Sequence, residues 1–372
     1  MAGKSSSWKL IAEAAILAIL VAAATLPCAI SGDGAPVPAT KSAVKHWFQQ
    51  NVQPAASRKD LDPDLVEAEK GEPKIIKVKQ DGSGDFKTIT EALKSIPKGN
   101  KKRVVVHIGG GTYNEKVTVD RTKPFVTFYG SPNDIPTIVF SGTALKYGTV
   151  DSASLIVFGD YFIGANLIIS NSAPRPDGIM KGAQAVAVRV SGDKSAFYNC
   201  RILGFQDTLL DDKGRHFFKD CYVEGTVDFI FGDAKSIYLD SEIHVIHGDQ
   251  EAMITAHARK GTDEDAGYVF LHCTITGKGG HAYLGRAWFP YSTVIFAYTE
   301  MSEAVRSEGW SNDKHPDYEK TLVYGEYKNT GVGASPDGRV KFAKQLSDAE
   351  VKPYLSLGYI EASKWLLPPP NH

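Results

Sequence analysis

The sequence predicts an all-β chain wound as a parallel β-helix, with a short helix near its start and loop insertions that form a substrate groove. Three observations carry this. Strand-like segments follow one another from residue 103 onward, at 104–108, 126–129, 155–158 and 185–190. The chain holds 35 glycines, 17 phenylalanines and 16 tyrosines, a usage that suits strands and tight turns better than a helical bundle. A third signal is internal: an aromatic, two variable residues, a small residue, one variable residue and an aliphatic recur six times. The instances are Phe162-Ala165-Leu167, Phe197-Cys200-Ile202, Phe218-Cys221-Val223, Tyr238-Ser241-Ile243, Phe270-Cys273-Ile275 and Phe296-Thr299-Met301. Their starts lie 35, 21, 20, 32 and 26 residues apart, as expected of a coil of about 20 residues lengthened by insertions. An antiparallel sandwich is the alternative, because short strands with frequent turns imitate the pattern.

Taken in order, residues 1–31 read as a secretory signal peptide. Lys4 and Lys9 precede a thirteen-residue apolar run at 14–26, and small residues follow Pro27. A membrane span would need about 20 apolar residues, so a retained signal anchor is the weaker reading and the mature chain is expected to have no membrane segment. Residues 32–73 are rich in Pro, Ala, Ser and charge and lack sustained periodicity, which predicts a tether or loose N-terminal arm, with Trp47 and Phe48 as the residues to dock it onto the main body. The main body is expected over 74–372. Near its start Thr88 and Glu91 form a capping box, and Ile89, Leu93 and Ile96 follow at helical spacing, so a short helix ends before Pro97.

Composition narrows the function classes. Lys+Arg is 42 against Asp+Glu 43, which removes the electrostatic case for a nucleic-acid partner. Cys28 leaves with the leader, so Cys200, Cys221 and Cys273 allow at most one intramolecular disulfide. All three occupy the small position of the repeat, a buried core column. Consecutive coils would put Cys200 and Cys221 within bridging reach if side-chain geometry permits, with Cys273 free.

The chemistry gathers on two coils. Asp207 and Asp228 each lie ten residues past the aromatic of their repeat, and the 21 residues between them equal the repeat spacing. Two carboxylates are therefore expected about one strand spacing, roughly 4.8 Å, apart. Like charges that close raise one pKa, and the apolar neighbours Leu209, Val227, Phe229 and Phe231 add desolvation. A carboxylic acid beside a carboxylate is an acid–base device; a polar ladder of turn aspartates is the bland alternative. Asp211 and Asp212, before Lys213-Gly214, suit a turn. No metal site is expected: the Asp81–Asp85 segment lacks the terminal Glu of a calcium loop, and His244 and His247 would face opposite ways on a strand.

At this point five segments acquire a common meaning. Gly111-Thr-Tyr-Asn-Glu115, Gln184-Ala-Val-Ala-Val188, Gln206-Asp-Thr-Leu209, Val227-Asp-Phe-Ile-Phe-Gly232 and Leu284-Gly-Arg-Ala-Trp288 stand in the order of the plant pectin methylesterases (pectinesterases). From about residue 74 to 366 the chain resembles that family, in its shorter class without an N-terminal inhibitor-like domain. The resemblance implies a right-handed parallel β-helix and a secreted, cell-wall carboxylic-ester hydrolase, monomeric and without cofactor, acting on methyl-esterified homogalacturonan. A proteinaceous pectinesterase inhibitor is the protein partner it implies. It also implies roles: Asp228 as nucleophile, Asp207 as general acid and then base, Gln184 and Gln206 as oxyanion donors, Arg286 as the charge partner of Asp228, and Trp288 as a flat face for the sugar. Ser154, thirty residues before Gln184, falls where the family tends to carry a substrate-contacting threonine and is read as substrate-binding with Gln184, Arg286 and Trp288.

Two local points qualify the resemblance. In an ideal strand Gln184 would share a face with the core residues Val186, Val188 and Val190, and Gln206 and Asp207 would face opposite ways. A catalytic role for all three needs a bend, for which Gly182 and Gly204 are placed. The family usually has proline where this chain has Ala287, which is expected to loosen the loop presenting Arg286 and Trp288. The alternatives are a non-catalytic pectin-binding β-helix protein, or another pectin-active enzyme, a lyase or polygalacturonase, whose reading His247-Gly248-Asp249 serves poorly.

Overall fold

A computed structural model describes residues 32–248 and 251–371; the leader expected over 1–31 lies outside the described residues. The strands form three sheets of eleven, eight and eight strands. Within each sheet every neighbour is parallel and comes from the next coil, as in Phe197↔Phe218↔Tyr238↔Phe270↔Phe296. From Val104 to Ser311 each turn of the chain adds one strand to each sheet, and the eleven-stranded sheet extends past the other two at both ends.

The repeat is the interior of this coil. Its aromatics stack with ring centroids 5.1, 4.6, 4.5 and 4.4 Å apart from Phe197 to Phe296, and Ile202, Val223, Ile243, Ile275 and Met301 form a second column in register. Offset-stacked rings add to the burial of their area. The first instance is out of register: Phe197 pairs with Gly164, not Phe162. A side chain at Gly164 would lie 2.9 Å from the Phe197 ring; its absence lets the Phe162 ring reach over from two residues earlier, 5.5 Å from Phe197. Ala165 accordingly leaves the cysteine column and packs outward, beside Tyr198.

Cys200, Cys221 and Cys273 are buried and free. The Cys200 thiol donates to the Tyr198 carbonyl, and the Cys221 thiol to those of Lys219 and, on the neighbouring coil, Phe197; the two thiols are neighbours and no bridge joins them. Asp211 is no turn residue either. It is fully buried, with Oδ1 2.5 Å from His216 Nδ1 and Oδ2 accepting the Tyr238 hydroxyl at 2.7 Å.

The ends of the coil are closed. The helix Ile89–Ser95 packs Ile89, Ala92 and Leu93 against the first strands. Thr88 Oγ1 accepts the Glu91 N–H, while the Ile89 and Thr90 N–H groups donate to the Glu115 carboxylate at 2.9 Å. Glu115 is the second capping group, in place of a reciprocal bond from Glu91.

The segment 32–73 departs from the loose arm expected. Lys41–Asn51 is a helix whose Val44, Trp47 and Phe48 are buried. With the C-terminal Leu357, Ile360, Trp365 and Leu366 they cover the outer face of the eleven-stranded sheet. Phe48 stacks on Phe217 at 5.7 Å. Three apolar side chains on one face of an otherwise polar helix suffice when a prepared apolar sheet meets them.

Candidate active site

The site lies where the chain turns into one of the eight-stranded sheets, the one that holds Leu209–Asp211 and Ile230–Gly232. Asp207 precedes the strand Leu209–Asp211 and Asp228 precedes Ile230–Gly232, two strands paired Leu209↔Ile230. The Asp207 N–H donates to the Val227 carbonyl at 3.0 Å. Both aspartates adopt left-handed backbone, φ +65° and +52°, a conformation that Asp tolerates better than most residues. This resolves the facing problem of Gln206 and Asp207, since neither lies in a strand. Gly182 does take positive φ, +68°. Gly204 serves differently: a Cβ there would lie 2.8 Å from Thr208 Oγ1.

Gln184 also precedes its strand, which begins at Val188. Val186 therefore parts company with Val188 and Val190: it packs on the outer face with Ala153, Ile156, Leu210, Phe231 and Ala256, whereas the other two enter the core. The outer set is the apolar floor of the cleft. The two glutamines are neighbours, Ala185 N–H donating to the Gln206 carbonyl at 3.2 Å. Beside Gln206 a pocket of about 230 Å³ opens, lined by Arg175, Thr226, Val227 and Glu251.

Arg286 ends the strand Ala282–Arg286 and reaches back across the floor. Its Nε donates to Asp228 Oδ1 at 2.7 Å and its Nη2 to Oδ2 at 2.8 Å, a bidentate pair that fits an ionised carboxylate. Asp207 and Asp228 are buried, 7% and 8% exposed. Burial, reinforced by the Asp228 charge and opposed by Arg286, pushes the Asp207 carboxyl well above the usual carboxylate range. The site thus pairs a buried carboxyl pushed toward its protonated form with a clamped carboxylate.

Trp288 is 38% exposed, an unusual position for so large an apolar side chain. Its ring lies 6.1 Å from Phe231 and 5.8 Å from the Arg286 guanidinium, a flat wall next to the aspartates. Ser154 does not belong to this cleft. It is fully buried and its hydroxyl donates to the Ser170 carbonyl at 2.8 Å, so a substrate contact is removed by the inward turn of its side chain.

Ala287 does not loosen the loop. Its N–H donates to the Ser311 carbonyl at 2.9 Å, a ladder bond that proline lacks. Sequence reasoning missed Asp313, whose Oδ2 accepts from Arg286 Nη1 at 2.5 Å. The pairing Arg286↔Ser311 sets it there; the coil spacing past Arg286 is the one signal that pointed its way.

A parallel β-helix bearing an acid–carboxylate pair in an open cleft has the parts of an acid–base hydrolase. The pectinesterase family model matches residues 75–363, and the chain belongs to the pectinesterase family. It is 56% identical to Pectinesterase 2 of Olea europaea over 96% of this chain and 97% of that one. The pectin methylesterase from carrot superposes with a TM-score of 0.73 at 33% identity, covering 80% of this chain and 95% of that chain. A pectin methylesterase solved in complex with a hexasaccharide matches at 25% identity and a TM-score of 0.66, over 80% of this chain and 99% of that chain. The parallel β-helix expected from the repeat is thereby met, and the sandwich alternative falls.

Proposed function

We propose that this pectinesterase removes methyl groups from galacturonate units of pectin through an acyl-enzyme on Asp228. The observation that carries the reading is the Arg286 fork on Asp228, one coil away from the buried Asp207. A carboxylate oxygen of Asp228 attacks the ester carbonyl carbon. The oxyanion that forms accepts hydrogen bonds from the Gln184 and Gln206 amides, neutral donors suited to transient charge beside two carboxylates. The C–O bond to methoxide breaks as Asp207 gives its proton to that oxygen, and methanol leaves an anhydride between Asp228 and the sugar acid. Asp207, now a carboxylate, takes a proton from water as the water attacks. Collapse frees the galacturonic acid and restores both aspartates.

Trp288 supplies an exposed apolar face for a sugar ring, backed by the buried Phe231, and the open cleft suits a polymer. The leader reading makes the enzyme secreted and directed to the cell wall, where it acts as a monomer; a proteinaceous inhibitor would act by covering the cleft. Methanol release from highly methylated pectin, with protein from residue 32 onward, tests the reading. Methanol that a chelator does not suppress, without new reducing ends or unsaturated products, is expected. Pectin binding without methanol would favour a binding protein, and unsaturated products a lyase.

A further inference from the structure

We infer that Asp313 is a positioning residue of the ester hydrolysis: it clamps the outer edge of the Arg286 guanidinium and offsets part of its charge, so that Asp207 and Asp228 feel less than a full cation. The inference rests on the roles proposed above for those two aspartates.

The geometry is a guanidinium held on two edges. Nε and Nη2 face Asp228, and Nη1 faces Asp313 Oδ2 at 2.5 Å. Asp313 is itself fixed. It sits at φ +52° just after the strand Trp310–Ser311, with its N–H donating to Ser311 Oγ at 3.1 Å. Its side chain is 37% exposed, against 11% for Asp228. One carboxylate is therefore shielded with the reacting atoms while the other stays at the rim.

The other groups facing Arg286 supply no equivalent charge. Trp288 offers its ring at 5.8 Å. Tyr324, on the strand Val323–Tyr327, is fully buried and donates its hydroxyl to Ser292 Oγ; burial pushes that phenol far up, so it stays neutral. Lys314, next to Asp313, lies exposed. Burial alone would lower the Arg286 pKa, but Asp228 and Asp313 together raise it, so the cation persists throughout catalysis.

Catalysis gives this arrangement a purpose. When Asp228 becomes the anhydride it loses its charge, and a mostly buried guanidinium without an anion would be costly. Asp313 keeps Arg286 paired in that state. In the resting state the same charge weakens the pull of Arg286 on Asp207, the one influence that favours release of the Asp207 proton. Removing it lets Asp207 ionise at lower pH, and the protonated acid needed for methanol departure disappears earlier on the alkaline side.

The test is the pH profile of kcat/KM for Asp313→Asn, a near-isosteric change that tolerates left-handed backbone. We expect the alkaline limb to move toward acid by about 0.5–1 pH unit, the scale of one partly screened charge at an effective dielectric of about 20. KM at the optimum should change less than about twofold, since no sugar contact is removed. Asp313→Glu, which restores the charge, should return the limb toward its wild-type position. A profile that superposes on the wild type, or lower activity with unmoved limbs, would overturn the inference. Failure of the underlying roles shows separately, as retained turnover in Asp228→Ala or Asp207→Asn whatever Asp313 does.

Discussion

Arg286 grips Asp228 through two parallel hydrogen bonds, Nε to Oδ1 at 2.7 Å and Nη2 to Oδ2 at 2.8 Å. A lysine would keep the charge and lose the fork, since its ammonium is a point donor. Arg286→Lys is expected to lower kcat by about 10²-fold, the scale of misplacing a reacting group by about 1 Å. Steady-state methanol release at saturating pectin measures it; kcat within twofold of wild type would show that charge without geometry suffices.

Asp207 should cost the fold stability at neutral pH. Its carboxyl is raised by burial and by Asp228, so the native state holds a proton that the unfolded state gives up from its ordinary pKa of about 3.9 upward. Stability linked to this group is fully present below that pH and is lost as pH rises toward the native value. Asp207→Asn removes the liability. Its Tm should exceed that of the wild type at pH 7 by about 2 °C or more, the scale of 1 kcal/mol in a large domain, and the gap should close near pH 3. A gap that widens on acidification would contradict the assignment.

Replacing Ala287 by proline tests the ladder bond. The substitution deletes the N–H donated to the half-buried Ser311 and leaves its carbonyl short of a partner, at a cost of about 1 kcal/mol. Thermal unfolding should show the loss, with no gain in activity. A higher Tm would mean that loop stiffening outweighs the bond.

The thiols should behave as buried and unpaired. In protein comprising residues 32–372, alkylation under non-reducing conditions should label Cys200, Cys221 and Cys273 after denaturation and spare all three before it. Peptide mapping that finds a Cys200–Cys221 bridge would contradict the unpaired state.

Much of this was legible because a β-helix writes its register into the chain. The aromatics from Phe197 to Phe296 are spaced by whole coils, and the same spacing carries Asp207 to Asp228, so the core column and the acid pair share one signal. That signal fails where side chains trade places. Phe162 occupies space that Gly164 leaves vacant, and an aromatic two residues out of register still looks like the repeat. Ser154 shows a different limit, since spacing places a residue on a coil without saying which way it points. Asp313 was harder to read because its value lies in a charge partner 27 residues earlier, one full coil back, and spacing alone does not say that the two side chains meet. The helix Lys41–Asn51 hid for an energetic reason: its three buried side chains become meaningful once the C-terminal segment and the sheet build the surface they complete.

The central claim is that Asp228 is the nucleophile, and single substitution measures it most directly. Asp228→Ala and Asp228→Asn, shown by circular dichroism and Tm to be folded, should release methanol from highly methylated pectin at least about 10³-fold more slowly than wild type, the loss expected when a covalent-catalysis nucleophile is removed. Turnover within tenfold of wild type in either folded variant would contradict the account.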